Sequence, residues 1–292
     1  MTCWLVLSLQ AGTLTASGNI MTPTLDLLHA ADKRIRTLLY ELRPQLLEAH
    51  GAIEHKLKDD TSVVTEMDLM VETRLKHALA ELDPSIGFSG EETGTDYDQK
   101  TFWLVDPIDG TEPFIRGLPF STNMIVLIDN GAPVMSVIYN FTLDEYYLAI
   151  KDKGATCNGH AIHVSQRPLE RSFVVCGSGL VKKGLGDVQL RLQRKTRALT
   201  QVNASGFEMA SIAHGAYDAR IAWNSVAKPW DLAPGALLIQ EAGGRVGNIM
   251  PKSDGYNFLQ TNVLAANPVI FDDLMDFILT ETAHAATNTA DH

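Results

Sequence analysis

Apolar residues recur at helical spacing in the first part of the chain. Between residues 25 and 50 they stand three or four positions apart, which predicts a helix with one buried face. Pro44 lacks a backbone N–H, so it is expected to kink or end this helix. A second helix is predicted over about 65–82, with Thr65 as its N-cap and Asp83-Pro84 as its end.

Short apolar runs separated by turn residues occupy the middle of the chain. The runs predicted as strands are 102–105, 122–128, 132–139 and 145–150. Asn130-Gly131 stands between two of them, and this dipeptide is typical of a tight hairpin turn. The pattern therefore predicts an antiparallel meander.

The pattern changes after Pro168, where strands and helices alternate. Strands are predicted at 173–176 and 219–223, and helices at 187–200, 206–214, 230–241 and about 271–283. Such alternation favours an α/β arrangement. The two parts are expected to join near residues 164–172.

The overall charge narrows the classes of partner. The chain has 292 residues with 24 Lys and Arg against 35 Asp and Glu, which gives a net charge of −11. A nucleic-acid backbone or an anionic membrane is disfavoured as the main partner. A small anionic substrate remains possible if metal ions supply positive charge locally.

The first residues and the cysteines concern compartment rather than chemistry. The apolar run at residues 3–9 is far shorter than the roughly 20 residues of a membrane span, and no Lys or Arg precedes it. Residues 1–22 are predicted to be a disordered extension, with a short strand or a dimer contact as alternatives. Three widely spaced cysteines favour a reducing cytoplasm over a disulfide framework.

Four acidic segments follow or begin predicted elements. They are Gly90-Glu91-Glu92-Thr93, the stretch from Trp103 to Thr111, the stretch from Lys58 to Asp68, and Lys228-Pro229-Trp230-Asp231. Each segment alone is explained at least as well by an ordinary turn or a capped helix.

The second of these segments has the most specific chemistry. Asp106 ends an apolar strand, and Asp109 follows three residues later, close enough to bind the same cation. The carbonyl of Ile108 adds a neutral oxygen. Oxygen ligands of this kind suit Mg²⁺.

The four segments together resemble the inositol monophosphatase family of metal-dependent phosphate monoesterases. The family pattern is G-E-E, W-x-x-D-P-x-D-G-T, W-D-x-A and E-A-G-G, and all four occur here in that order. The resemblance covers about residues 25–277. It implies an α+β or α/β fold, a layered αβαβα sandwich of the inositol monophosphatase and fructose-1,6-bisphosphatase type. It also implies an N-terminal domain over 23–166, a C-terminal domain over 167–284 and a tail over 285–292.

The resemblance implies two to three Mg²⁺ ions. The first would be held by Glu91, Asp106 and the Ile108 carbonyl, and the second by Asp106, Asp109 and Asp231. A third, weaker site would use Glu91 together with Asp60.

The resemblance further assigns the groups that act on water and phosphate. Thr111 would orient or deprotonate the attacking water, with Asp68 as its hydrogen-bond partner, and Glu91 and Glu92 would shape the site. The residues assigned to substrate binding are Gly110, Thr111, Asn224 and Asp231.

The substrate is less constrained than the reaction. Asn224 stands where inositol-specific members carry a glutamate, and an amide both donates and accepts hydrogen bonds, which predicts a tolerant pocket. Inositol monophosphate or a similar small polyol or sugar phosphate is the first expectation. Histidinol phosphate, fructose 1,6-bisphosphate and 3′-phosphoadenosine 5′-phosphate follow, and a catalytically silent phosphate-binding relative is the contrasting class. By resemblance, the protein is also expected to be a lithium-sensitive, cytoplasmic homodimer.

Overall fold

The computed structural model describes residues 23–52, 56–57, 63–223, 226–249 and 256–288. The predicted extension over 1–22, Asp60 and Asn224 lie outside these residues. The described helices are α1 (Leu25–Ala49), α2 (Glu66–Ala80), α3 (Thr111–Ile115), α4 (Gly179–Lys182), α5 (Gly186–Lys195), α6 (Ser205–Ala213), α7 (Pro229–Glu241) and α8 (Phe271–Asn288). The described strands are β1 (Lys56–Leu57), β2 (Val63–Val64), β3 (Gly87–Gly90), β4 (Thr101–Asp109), β5 (Thr122–Asp129), β6 (Ala132–Asn140), β7 (Glu145–Ile150), β8 (Gly154–Cys157), β9 (His160–Ala161), β10 (Phe173–Cys176), β11 (Ala198–Thr200), β12 (Ala219–Ala222), β13 (Arg245–Asn248) and β14 (Val263–Ala266). None of the helices in these ranges is long and apolar enough to cross a membrane.

Most predicted elements are confirmed, with three differences. Helix α1 runs through Pro44 to Ala49, so the proline does not end it. Residues 198–200 were expected to be helical but form β11, because their backbone pairs in parallel with β10. Helix α8 continues to Asn288, into the first residues of the predicted tail.

Two sheets form the framework of the described chain. The first has the strand order β3-β4-β5-β6-β7-β8-β9, and its strands from β4 onward are antiparallel, as the meander predicted. The second has the order β11-β10-β12-β14-β13 and mixes parallel and antiparallel pairs.

Helices and sheets alternate in five layers. Helices α1 and α2 pack on one face of the first sheet, where Trp103 and Val105 of β4 are buried. Helices α6 and α7 lie between the two sheets, and α5 and α8 cover the outer face of the second sheet. The expected αβαβα sandwich is thereby confirmed. The division into domains at residue 166 stays a prediction.

A buried carboxylate fastens the connection between the sheets. Asp218 lies directly before β12, and its oxygens accept hydrogen bonds from Arg167 Nε at 2.9 Å, from the Phe173 N–H at 2.7 Å and from the Ser165 hydroxyl. Asn267 Nδ2 donates to the same Ser165 hydroxyl at 2.9 Å. The segment that leads from β9 to β10 is therefore held against the second sheet rather than left as a free linker.

Candidate active site

Three aspartates from distant parts of the sequence converge between the sheets. One carboxylate oxygen from each of Asp106, Asp109 and Asp231 lies within 4.8 Å of the others. Asp106 and Asp109 are buried and Asp231 is partly buried. The sequence predicted this convergence, and an all-oxygen donor set of this kind suits a hard divalent cation.

A bulge in β4 lets Asp106 and Asp109 share one side of the sheet. In a regular strand, side chains three residues apart point to opposite faces. Here Asp106 pairs with Met124 and Asp109 with Thr122, so three steps on β4 match two on β5. The Asn123 side-chain amide donates to Pro107 O at 2.6 Å and fastens the bulge.

Helix α6 fixes the Asp109 carboxylate. Asp109 Oδ1 accepts the Ser205 N–H at 3.0 Å, and Oδ2 accepts the Gly206 N–H at 2.8 Å. The cap residue Ala204 offers no side-chain hydrogen bond, so Asp109 satisfies the first donors of this helix from another strand. Gly206 is required for this approach, because a Cβ there would lie 2.1 Å from Thr122 Oγ1.

Asp231 is positioned at the start of α7. Its Oδ2 accepts the Lys228 N–H at 2.7 Å, which is a capping-box contact. Helix α7 begins with Pro229, which is compatible with the first helical turn. The capped start of α7 thus directs the Asp231 carboxylate towards the other two.

The Gly90-Glu91-Glu92-Thr93 turn is held by a residue that sequence reasoning missed. Glu72 of α2 is fully buried, and its two oxygens accept the Glu92 N–H at 2.9 Å and the Thr93 N–H at 2.7 Å. The Glu91 N–H donates to Val105 O at 3.1 Å. Glu91 lies on the wall of the same cavity as the three aspartates.

Thr111 and Asp68 each hydrogen-bond other residues. Thr111 Oγ1 donates to Ile108 O at 3.2 Å, whereas Asp68 Oδ2 accepts from Thr65 N at 2.7 Å and Thr65 Oγ1 at 2.6 Å. Neither of these fully described residues hydrogen-bonds the other. The capping box of α2 engages only Oδ2 of Asp68, so the Thr111–Asp68 partnership stays a prediction.

Burial and mutual repulsion raise the pKa values of the acidic groups. Burial, reinforced by Glu91 and Asp109, holds the pKa of Asp106 well above its usual range. Burial raises the pKa of Asp109 to about 8 and that of Asp231 to about 6. The pKa of Asp68 rises to about 7, again chiefly through burial. A site of this kind gains from positive charge that would let its carboxylates ionise.

The carboxylates lie at one side of a cavity of about 440 Å³. Ile108, Gly110 and Thr111 are on its wall, but Glu92 and Asp68 are not among the described residues that line it. Asp106 Oδ1 is buried and has no hydrogen-bond partner in the part of the chain described. Because an orphaned buried carboxylate oxygen is costly, the donor set fits a divalent metal ion.

The cavity wall also contains groups that sequence reasoning did not identify. Arg220 of β12 lines the cavity and pairs with Glu208 of α6. By contrast, Glu241 of the E-A-G-G motif lies at the far end of α7. It accepts the Asp152 and Gly154 N–H groups at 2.9 and 2.8 Å, which ties α7 to the β7–β8 turn.

Known proteins resemble the chain along almost its whole length. The model of the inositol monophosphatase family matches residues 25–287. An inositol monophosphatase from Mesembryanthemum crystallinum is 30% identical over 236 residues, which cover 77% of this chain and 85% of that protein. A putative Nus factor SuhB from Neisseria meningitidis serogroup B is 29% identical over 269 residues, covering 88% and 98%. Among solved structures, an IMPase from Thermotoga maritima has a TM-score of 0.79 at 25% identity, covering 89% of this chain and 99% of that one.

Proposed function

The chain belongs to the inositol monophosphatase family of phosphatases. We propose that it hydrolyses phosphate monoesters of small polyols or sugars, with inositol monophosphate as the first candidate. The observation that carries this proposal is the buried cluster of Asp106, Asp109 and Asp231 in a cavity large enough for a small metabolite.

The family is metal-dependent, and we assign two to three Mg²⁺ ions to this site. Glu91, Asp106 and the Ile108 carbonyl would hold the first, and Asp106, Asp109 and Asp231 the second. Asp60, with Glu91, is the candidate for a third. When bound, such ions supply positive charge to the phosphoryl oxygens and lower the pKa of a coordinated water.

The protein's own residues then position the reactants. The Thr111 hydroxyl gives its hydrogen to Ile108 O at 3.2 Å, so its lone pairs are left to accept a hydrogen bond from the attacking water. This arrangement supports orientation of the water rather than its deprotonation by Thr111. The Gly110 and Thr111 backbone is assigned to the phosphate, and Asn224 and Asp231 to the leaving group.

Phosphate release from a panel of esters tests the proposal. The panel contains inositol 1-phosphate, glycerol 2-phosphate, fructose 1,6-bisphosphate, 3′-phosphoadenosine 5′-phosphate and histidinol phosphate, each with Mg²⁺ and with EDTA. We expect Mg²⁺-dependent hydrolysis of several esters, and none in EDTA. No release from any ester at saturating Mg²⁺ would favour the contrasting class, a catalytically silent relative that binds a phosphate or a protein partner.

Three further properties are proposed by family analogy and cysteine content. They are a homodimer, inhibition by Li⁺ and a cytoplasmic location, in keeping with the free, buried thiols of Cys157 and Cys176. Sedimentation of the full chain and a Li⁺ titration at fixed Mg²⁺ test the first two directly.

A further inference from the structure

Arg220 is a buried guanidinium, and one of its nitrogens has no acceptor among the described residues. It retains 9% of its surface exposure and lies in β12. Its Nε donates to Glu208 Oε2 at 2.7 Å, and its Nη2 donates to Ser205 Oγ at 2.9 Å. Its Nη1 is buried, and no acceptor for it exists among the described residues.

The neighbours of Arg220 hold its side chain in place but do not supply a hydrogen-bond acceptor for Nη1. Glu208 is itself buried, and its second oxygen accepts the Val202 N–H at 3.1 Å. The carboxylate is therefore fixed from two sides and pairs with only one edge of the guanidinium. A buried donor without an acceptor lowers stability, so a group that persists in this state is a candidate for ligand recognition.

Arg220 is connected to the acidic cluster through a single residue. Ser205 donates its N–H to Asp109 Oδ1 at 3.0 Å and accepts from Arg220 with its hydroxyl. Arg220 also forms part of the cavity wall, together with the exposed Lys182 at the end of α4. The cavity wall thus carries two cationic side chains, Arg220 and Lys182, in addition to the carboxylates suited to metal ions.

We propose that Arg220, assisted by the charge of Lys182, recognises a second anionic group on the substrate, a phosphate or a carboxylate on the portion that leaves. The proposal rests on the phosphatase activity proposed above. A guanidinium has donors only, so its ligand must present acceptor oxygens. An ammonium group, as in histidinol phosphate, is disfavoured at this place.

The test compares substrates that differ in the second group. Fructose 1,6-bisphosphate carries a second phosphate, 3-phosphoglycerate carries a carboxylate, and glycerol 2-phosphate carries neither. We expect wild-type kcat/KM to be about 10- to 100-fold higher for an ester with the second anion, the size of one charge-assisted hydrogen bond. A preference confined to one of the first two esters identifies which anion is recognised.

A double variant removes the guanidinium while keeping the buried charges balanced. Arg220→Met with Glu208→Gln should lower the ratio of kcat/KM for the ester with a second anionic group to kcat/KM for glycerol 2-phosphate by about tenfold or more. A purely structural role would reduce both values together and leave the ratio unchanged, and that result overturns the inference. Circular dichroism and the melting temperature establish whether the double variant is folded.

A matched pair of lysines decides the question if the double variant does not fold. Lys182 lines the cavity, whereas its exposed neighbour Lys183 does not. Lys182→Met should lower the same ratio and Lys183→Met should not, and equal effects overturn the inference. If the wild type hydrolyses none of the esters, the proposed function fails. If it hydrolyses them all with no preference for a second anion, only the present inference fails.

Discussion

Asp106 and Asp109 are equivalent in the sequence motif but differ in what surrounds them. Asp109 accepts two backbone N–H groups from α6, at 3.0 and 2.8 Å. Asp106 has one oxygen with no partner among the described residues. One aspartate therefore supports the fold as well as the site, while the other is costly to the fold and is explained only by the site.

Asp106→Asn should stabilise the protein in EDTA and abolish its activity. Burial and the neighbouring carboxylates hold the pKa of Asp106 high, so the folded protein pays a free-energy cost at neutral pH that a neutral amide does not incur. The substitution also removes the carboxylate shared by both proposed metal sites, so activity should fall by about 100-fold or more. Thermal unfolding in EDTA and phosphate release with Mg²⁺ measure the two effects.

The control for that variant is Asp129→Asn, the same change in the same sheet. Asp129 is buried but accepts from Thr101 Oγ1 at 2.7 Å and lies outside the cavity wall. We expect it to retain activity and to gain no stability. A melting temperature of Asp106→Asn in EDTA below that of the wild type would contradict the prediction.

Asp109→Asn should destabilise the protein even without metal. An amide has one acceptor oxygen, so its NH₂ would face the N–H of Ser205 or Gly206. Asparagine has nearly the same shape as aspartate, but a buried N–H donor left without an acceptor lowers the free energy of unfolding by about 1–3 kcal/mol. Urea unfolding in EDTA measures this loss, and stability equal to the wild type would show that α6 does not depend on the carboxylate.

At the scale of elements, α2 has two roles in the site. Its N-terminus engages Asp68 with Thr65, and one turn later Glu72 holds the backbone after Glu91. Both acidic residues lie on the face of α2 that is otherwise apolar. That face packs on the first sheet, so α2 fixes the turn that carries Glu91 relative to the sheet.

Glu72→Ala should loosen the turn and weaken metal binding. The Glu92 and Thr93 N–H groups lose their acceptors, which costs about 1–3 kcal/mol of stability. Because Glu91 is adjacent, the Mg²⁺ concentration for half-maximal activity should rise about 10-fold, as is typical for residues that orient metal ligands. Glu66→Ala, an exposed position on the same helix, is the matched control, and equal Mg²⁺ requirements in the two variants would refute the role of Glu72.

The elements show where sequence reasoning succeeds and where it stops. Strands β5 and β7 are predicted well because their apolar runs are bounded by turn residues. Strand β11 is not, because only its pairing with β10 makes it a strand. The three clustered aspartates are visible in the sequence as motifs. Glu72 and Arg220 are visible only as charges within apolar patterns, and their partners depend on the tertiary fold.

At the scale of the whole molecule, the acidic cluster couples proton and metal binding to stability. The pKa values of Asp68, Asp109 and Asp231 rise through burial from 3.8 to about 7, 8 and 6. At pH values between the ordinary aspartate pKa and these raised pKa values, the folded state binds more protons than the unfolded state. The free energy of unfolding should therefore fall as the pH rises from about 4 to about 8.

Mg²⁺ should offset this loss, because it binds the ionised carboxylates and not the protonated ones. The increase in melting temperature on adding Mg²⁺ is expected to be larger at pH 8 than at pH 5.5. Scanning calorimetry in EDTA and in Mg²⁺ at both pH values tests this. An equal increase in melting temperature at the two pH values would show that Mg²⁺ binding does not depend on ionising the carboxylates whose pKa values are raised.

The position of α7 has a consequence for how the protein is made. Ala233 of α7 packs with Phe102 and Leu104 on the first sheet, and Ser136 Oγ donates to Pro234 O at 2.6 Å. On the ribosome, residues 87–161 emerge well before this helix is synthesised. One apolar face of the nascent sheet stays exposed until α7 is synthesised and packs on it, and α7 also carries Asp231. A truncated chain that ends before α7 therefore lacks both a finished core and the third aspartate of the cluster, so it is expected to be inactive.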